Sequence, residues 1–263
     1  MENTAIYILL VLLVVAEAIT LYGYLRERGE RKQRRLLKEW PIRAVLPDVV
    51  DPIFRPGPFG PTLETEVAFV GRGPFDVQGS TTDVESWMLA VLAKHARRLF
   101  EFGTCMGRTT YLWARNSPAD AKVITLTLAP EERAIYRQDA ADDAGDTAAA
   151  LSESAYTSFL YSGTPEASKV EQLFGDSKAL DISRWGGECD LVFVDGSHAY
   201  SYVRSDSEKA LALVKPGGLV LWHDYAGPSH SPGVYRALNE LAERLPLVRI
   251  TGTMFVAYRA PGL

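Results

Sequence analysis

The chain has 263 residues, is 47% hydrophobic and 23% charged, and carries a formal net charge of −5. These averages exclude a disordered chain, a collagen or a disulfide scaffold, and with only Cys105 and Cys189 present a four-cysteine zinc site is excluded too. Apolar residues and positive charge are nevertheless concentrated in the first 43 positions, so the chain has to be read segment by segment.

The run AIYILLVLLVVAEAITLYGY (Ala5 to Tyr24) has Glu17 as its one charge, and at about 1.5 Å per residue a helix of this length spans roughly 30 Å, the thickness of a bilayer core. A transmembrane helix over residues 1–25 is therefore expected. Residues 26–43 follow with eight basic against three acidic side chains, a net +5. Positive flanks stay on the cytoplasmic side, which predicts a single-pass chain with its amino terminus outside and its body cytoplasmic. The basic block suits anionic lipid headgroups, or a solvated juxtamembrane helix. A cleaved signal peptide is the rival reading, because Ala16-Glu17-Ala18 has a small-x-small pattern, but no Lys or Arg precedes Arg26. Glu17 marks either a polar contact with an integral-membrane protein partner or a side chain reaching the interface. Residues 44–263 are left with −8, and an acidic body argues against nucleic acid as a partner.

Between Pro41 and Pro74 lie five further prolines and four glycines, a density that forbids long helices and central strands and reads as a strap. Thr81-Thr82-Asp83 caps an apolar-periodic helix, VESWMLAVLAKHA. Strand runs are expected at RRLFEFG, KVITLTL (122–128), KVEQLFG (169–175), CDLVFVD (189–195) and GGLVLWHD (217–224), with helix-like TTYLWARN, EERAIYRQDA and YVRSDSEKALALV between most of them. Residues 139–150, rich in Ala and Asp, read as an exposed helix or loop, and the long connection 139–168, with Tyr156, Phe159 and Tyr161, suits a lid. LVRITGT and MFVAYRA close the pattern as two strands, with an antiparallel edge expected. Apolar strands alternating with helices imply a doubly wound α/β fold with a mostly parallel sheet.

Ligands of such sheets bind at the carboxyl ends of the strands. Four successive ends carry polar or glycine-rich turns: Glu101-Phe102-Gly103-Thr104-Cys105-Met106-Gly107-Arg108-Thr109, then Gly175-Asp176-Ser177, Asp195-Gly196-Ser197-His198 and His223-Asp224-Tyr225. Gly103 and Gly107 bracket a turn into a helix and let the backbone approach a ligand. Each turn alone is explained by capping, and it is their coincidence on one rim that points to a site. The dinucleotide spacing GxGxxG is absent, which disfavours NAD and the nucleotide-sugar enzymes.

FEFGTCMGRTT, FGDS and LVFVDGSHAYSYVRSDSEKALALVKPGGLVLWHDY together resemble the class I S-adenosylmethionine-dependent methyltransferases, in the branch of catechol-type O-methyltransferases. The resemblance covers roughly residues 80–260. It implies a seven-stranded Rossmann-like methyltransferase sheet over residues 80–263, preceded by the transmembrane helix and by a basic segment and strap over 26–79. It implies that Glu101, Gly103, Gly107 and Thr109 form the methionine-binding loop, that Asp176 and Ser177 lie beside the adenine, and that Asp195 approaches the methionine ammonium. Asp195 and Asp224 fall on family metal-ligand positions, which suits Mg²⁺. Tyr225 stands where a third ligand is usual, and Thr127 stands where the family carries a ribose-binding acid. His198 or His223 is the candidate base, with Asp195 beside them. Tyr225 could wall an acceptor pocket, whereas Trp222 precedes the rim and reads as core. The expected function is a membrane-anchored methyltransferase acting on a hydroxyl of a small-molecule acceptor. The alternative, favoured by Thr127, Tyr225 and Glu17, is a catalytically silent accessory subunit of a membrane protein complex.

Overall fold

The computed structural model describes residues 2–38, 40–58, 60, 62–69 and 81–262, with the side chains of 2–6, 8–10, 29–38 and 135 outside that description. The expected strap residues 70–79, among them Gly71, Gly73 and Pro74, lie outside the described residues. Two compact units are present, Met1–Pro41 and Ile42–Leu263.

The first unit is one helix, α1 (Glu2–Lys38). Among the described residues no helix is long and apolar enough to cross a membrane. This corrects the expected transmembrane span. The apolar stretch of α1 is interrupted by Glu17 and passes within the same helix into Arg26, Glu27 and Arg28. The single-pass topology with an outside amino terminus, the lipid contacts of the basic block, the integral-membrane partners and the role as a membrane-complex subunit all depended on that span, and they fall with it.

The second unit is built on a sheet. Its elements are β1 (Ala44–Val45), α2 (Pro47–Val50), α3 (Asp83–Ala93), β2 (Arg98–Phe102), α4 (Arg108–Asn116), β3 (Lys122–Thr127), α5 (Ala144–Glu153), β4 (Val170–Phe174), β5 (Cys189–Val194), α6 (Tyr200–Leu213), β6 (Val214–Trp222), α7 (Pro232–Ala242), β7 (Val248–Ile250) and β8 (Val256–Arg259). The sheet has eight strands among the described residues, in the order β1-β7-β8-β6-β5-β2-β3-β4. The mostly parallel, doubly wound sheet expected from the alternating pattern is present, with one strand more than expected. The extra strand, β1, is a two-residue edge lying between Pro41 and Pro47, too short to leave a periodic signal. The antiparallel strand is not an edge: β8 runs antiparallel between β6 and β7.

EERAIYRQDA, expected as a helix, is a 3₁₀ turn over Pro130–Ile135 that stops at Tyr136. Tyr136 leaves helical geometry to stack on Tyr202, with ring centroids 4.4 Å apart, and to pair with the Ser197 hydroxyl at 2.6 Å. Tertiary contacts there outweigh local propensity.

Strands β2, β5 and β6 are buried on both faces, as their apolar runs require, with Leu99, Phe193 and Leu221 on one side and Phe100, Val192 and Val220 on the other. Burying a side chain such as Leu99 or Phe193 contributes about 1.5–3 kcal/mol of transfer free energy. The first face packs Met88, Leu89 and Trp113 of α3 and α4 against the sheet. α3 begins where its capping signal lies: the Thr82 hydroxyl accepts from Glu85 N at 3.3 Å, and Glu85 Oε2 accepts from Thr82 N at 2.9 Å.

The register sets the position of the site. Phe102 pairs with Leu126 and Val194, Leu126 with Leu173, and Val194 with Trp222. The carboxyl ends of β2, β3, β4, β5 and β6 thus stand level, and the residues that follow them share one rim.

Candidate active site: a cleft and a carboxylate–imidazole cluster

Two cavities open along this rim and share part of their lining. One, a long cleft by the spread of its lining, has about 570 Å³ and is lined by Gly103 and Cys105, by Leu126, Thr127 and Leu128, and by Asp176, Ser177 and Asp206, together with Tyr136, Ser197 and Tyr202. The second, of about 650 Å³, is lined by Glu101, Met106, Arg108, Thr109, His198, His223, Asp224 and Met254. Gly103, Cys105, Glu153 and Asp195 belong to both.

Sequence residues therefore distribute as follows. Gly103, Thr127, Asp176, Ser177 and Asp195 line the long cleft, and Glu101, Gly103, Thr109, Asp195, His198, His223 and Asp224 line the second cavity. Gly107 lines neither: it caps α4 in left-handed geometry and faces the Tyr161 ring and the Phe159 Cβ. Tyr225 is also off the rim, 1% exposed, with its hydroxyl donating to Asn239 Oδ1 at 2.5 Å and its ring stacked on Tyr235. Trp222 is core, its Nε1 donating to the Ser207 hydroxyl at 2.8 Å.

Gly103 is the tightest backbone approach on the rim. Its φ is +100°, and a Cβ there would stand 2.0 Å from the Asp195 carbonyl oxygen. Only glycine lets the β2 and β5 ends close on each other in this way. Cys105 and Asp224, with φ of 44° and 58°, are the non-glycine residues of positive φ among those described, and both line the second cavity. Left-handed backbone at such positions is held by its surroundings and clusters at functional sites. At Asp224 the holding group is the Ser231 hydroxyl, which donates to the Asp224 carbonyl.

The centre of the second cavity is a network of charge. His223 Nδ1 lies 3.0 Å from Asp195 Oδ1 and 3.1 Å from Asp224 Oδ2, and its Nε2 faces Glu85 Oε2 at 3.4 Å. His198 Nε2 lies 2.8 Å from Asp224 Oδ2. Burial works against the charged form of both histidines, yet the carboxylates prevail: Asp224 lifts His198 to about 9, and Asp195 and Asp224 lift His223 well above the usual range. Glu85 is held down at about 2, against the cost of burial, by the hydrogen bond and charge of His223 and by Met254 N, which donates to its Oε1 at 2.7 Å. Burial raises Glu153, which projects from the end of α5 and makes no hydrogen bond among the described residues.

Glu101 has a different character. It is 1% exposed, and burial pushes it up to about 8, against the hydroxyls of Thr110 and Thr125, which both donate to its Oε2. The Cys105 thiol, raised to about 12 by burial, is a wall of the cavity rather than a nucleophile.

Asp195, His223 and Asp224 each offer a ligand atom, all within 4.8 Å of one another. The group that stands beside the carboxylate pair is thus the imidazole of His223, while Tyr225, in the place where a third ligand is usual, packs away from the rim. Two carboxylate oxygens and one imidazole nitrogen fit a first-row divalent cation better than Mg²⁺, which prefers an all-oxygen shell.

Several residues in or beside the cavities were not singled out from sequence. Glu85 stands three residues after Thr82, the spacing of a capping box, but its second oxygen reaching Met254 and its contact with His223 join positions far apart in the chain. Tyr136, Tyr202 and Asp206 carry no motif. Glu153 lies in the 139–168 connection, which folds over the cleft through α5 and is pinned where Phe159 and Tyr161 are buried and Tyr161 donates to Gln172 at 2.5 Å.

Residues 100–225 match the model of a methyltransferase domain. Solved structures similar to the chain include the O-methyltransferase TomG from Streptomyces achromogenes, involved in tomaymycin synthesis, in complex with SAM (22% identity, 69% of this chain and 82% of that one, TM-score 0.47). Others are SAH-bound PaMTH1 from Podospora anserina (17%, 89% and 95%, 0.48) and an O-methyltransferase from Bacillus cereus in complex with SAH (18%, 69% and 83%, 0.45). No curated protein matches. The methyltransferase-domain match runs from β2 through Tyr225 and contains the rim on which both cavities open, so this chain is an enzyme of the methyltransferase class.

Proposed function

We propose that the chain is an S-adenosylmethionine-dependent methyltransferase acting on a hydroxyl group of a small-molecule acceptor. The observation that carries the reading is the junction of the two cavities at Gly103, Cys105, Glu153 and Asp195, with the long cleft on one side and the carboxylate–imidazole cluster on the other. A nucleoside would fit the Thr127–Asp176–Ser177 end and an amino-acid tail the turn at Gly103, and the reacting methyl group would then face the carboxylate–imidazole cluster. Glu101 and Thr109 shape the tail's surroundings, and Gly107 acts at a distance by setting the start of α4.

S-adenosylmethionine supplies a methyl group on a sulfonium sulfur. The chain's own part is alignment of the acceptor oxygen with that methyl and removal of the hydroxyl proton. His198 suits the second task. With Nε2 bonded to Asp224, its Nδ1 is left to take the proton, and Asp224 stabilises the imidazolium so formed. A histidine lifted to about 9 is imidazolium at neutral pH, so His198 takes the proton from its neutral fraction and turnover is expected to rise with pH through about 9. His223 is bridged between Asp195 and Asp224 and is better placed to hold their charge than to move a proton. Asp195, His223 and Asp224 would hold a divalent cation, whose chemistry would be to lower the pKa of an acceptor hydroxyl.

Calorimetry with S-adenosylhomocysteine tests the reading directly. Micromolar binding is expected, and no binding at millimolar ligand would overturn it. Methylation of a panel of hydroxylated aromatic and aliphatic compounds then identifies the acceptor class.

A further inference from the structure

At the nucleoside end of the long cleft the polar groups are distributed unevenly. A threonine, not an acid, ends β3 where a ribose would lie. Beyond it, two carboxyl groups line the same cleft. Asp176 has an Oδ2 with no hydrogen-bond partner, approached by Arg137 only to 3.9 Å, while its Oδ1 accepts from Lys178 N at 2.9 Å. Asp206, projecting from the middle of α6, is 2% exposed and has an Oδ1 with no partner at all. Its surroundings are the Ser177 hydroxyl, Lys209, Asp176 and Lys178. Gly196 lines the same cleft beside it: a Cβ at that position would stand 3.8 Å from Asp206 Oδ2.

A buried carboxyl oxygen without a partner costs free energy, and with Asp176 and Asp206 both lining one cleft a ligand that donates to both would relieve that cost. The exocyclic amino group of adenine has two hydrogens pointing apart, which is the donor that such a pair accepts. Guanine and hypoxanthine present an oxygen there instead, which two carboxylates repel.

We propose that Asp206 is a second base-reading residue, forming with Asp176 a two-carboxyl clamp on the exocyclic amino group of the bound nucleoside. Recognition then rests on the base edge more than on the ribose, consistent with Thr127. The partial neutrality of Asp206 in the free protein, its burial holding it at about 7, is what keeps two such acids tolerable side by side until the amino group arrives. The proposal rests on the S-adenosylmethionine reading above and adds to it a residue and a specificity.

The test compares S-adenosylhomocysteine with its inosine and N6-methyladenosine analogues by calorimetry, on the full chain and on Asp206→Asn. The wild type is expected to bind the inosine analogue at least about 100-fold more weakly than S-adenosylhomocysteine, and Asp206→Asn to reduce that ratio to about tenfold or less. The wild type is also expected to bind the N6-methyl analogue about 10- to 30-fold more weakly, because one of the two accepted hydrogens is gone. That readout needs no variant and so survives a folding defect in Asp206→Asn. If the N6-methyl analogue binds within about threefold, or if Asp206→Asn weakens all ligands by the same factor, Asp206 only positions the Asp176–Ser177 turn and the clamp is wrong. Failure of the wild type to bind S-adenosylhomocysteine would instead overturn the cofactor reading itself, and the clamp with it.

Discussion

Replacing Gly103 by alanine puts the geometry of the rim to its most direct test. The added Cβ would stand 2.0 Å from the Asp195 carbonyl oxygen, 2.5 Å from its carbon and 2.7 Å from Gly196 Cα, all backbone atoms that cannot rotate aside. Two penalties add. Holding an alanine at positive φ costs about 1–2 kcal/mol, and forcing atoms into a packed site costs about 1–3 kcal/mol more. The total, about 2–5 kcal/mol, corresponds to a fall of about 5–20 °C in Tm for a body of this size. Gly252→Ala supplies the control: its φ is +82°, but nothing lies within 4 Å of the added carbon, so it carries the first penalty alone. The stiffening of the unfolded chain by alanine is common to both variants and cancels in the comparison. Thermal unfolding should therefore place Gly103→Ala clearly below Gly252→Ala, and calorimetry should show S-adenosylhomocysteine binding lost in the first and retained in the second. If the two variants melt within a couple of degrees of each other and both bind, the close approach of β2 and β5 does not shape the site.

Four further outcomes are expected. His198→Asn should lower turnover by about 10²- to 10⁴-fold while leaving S-adenosylhomocysteine affinity within a few-fold, and an equal loss of both would show that His198 is not the base. Gly233→Ala, whose Cβ would stand 2.2 Å from the His198 carbonyl oxygen, should shift that base and reduce turnover more than ligand affinity, a difference visible in kinetics and calorimetry side by side. Glu101 binds a proton in the folded state up to about pH 8 but only to about 4.5 when unfolded, so its contribution to stability is full below 4.5 and is lost as pH rises through 8. Glu101→Gln should remove that loss and melt higher than the wild type at pH 8.5 relative to pH 5, by on the order of 2–4 kcal/mol, whereas parallel pH curves would refute the buried neutral acid. The O,O,N donor set of Asp195, His223 and Asp224 should bind Mn²⁺ more tightly than Mg²⁺, with His223→Ala reducing the preference. Calorimetric titration with each ion checks this, and equal affinities would count against His223 as a donor.

The parts of the site legible in sequence are those whose signal is local. Gly103, Asp195, His198 and Asp224 each follow an apolar strand directly, so period and position alone put them at a strand end. Glu85 drew no reading from sequence beyond its place in the helix VESWMLAVLAKHA. Its approach to His223 is made across the sheet and leaves no mark in spacing. Tyr225 illustrates the opposite error: it is adjacent to Asp224 in sequence, but the positive φ of Asp224 turns the chain so that Tyr225 packs inward against Tyr235 and Asn239 while His223 faces the carboxylates. The helix expected over 131–140 fails for a similar reason, since Tyr136 gains a stacked ring and a hydrogen bond by leaving it.

The composition and pattern of the chain, by themselves, determined an α/β body with a mostly parallel sheet, an acidic remainder beyond a basic segment, and a set of polar strand ends on one rim, because alternation, periodicity and capping are encoded by near neighbours. Hydropathy alone was a poor guide to α1, where an apolar run is bounded by charge within the same continuous helix. Tertiary structure decided the eighth strand, the place of β8 inside the sheet, the approach of His223 to Asp195 and Asp224, and the placing of Asp176 and Asp206 on one cleft. Each of these depends on which distant residues meet, and on whether a buried polar atom finds a partner there, quantities set by packing and not carried by any local stretch of sequence.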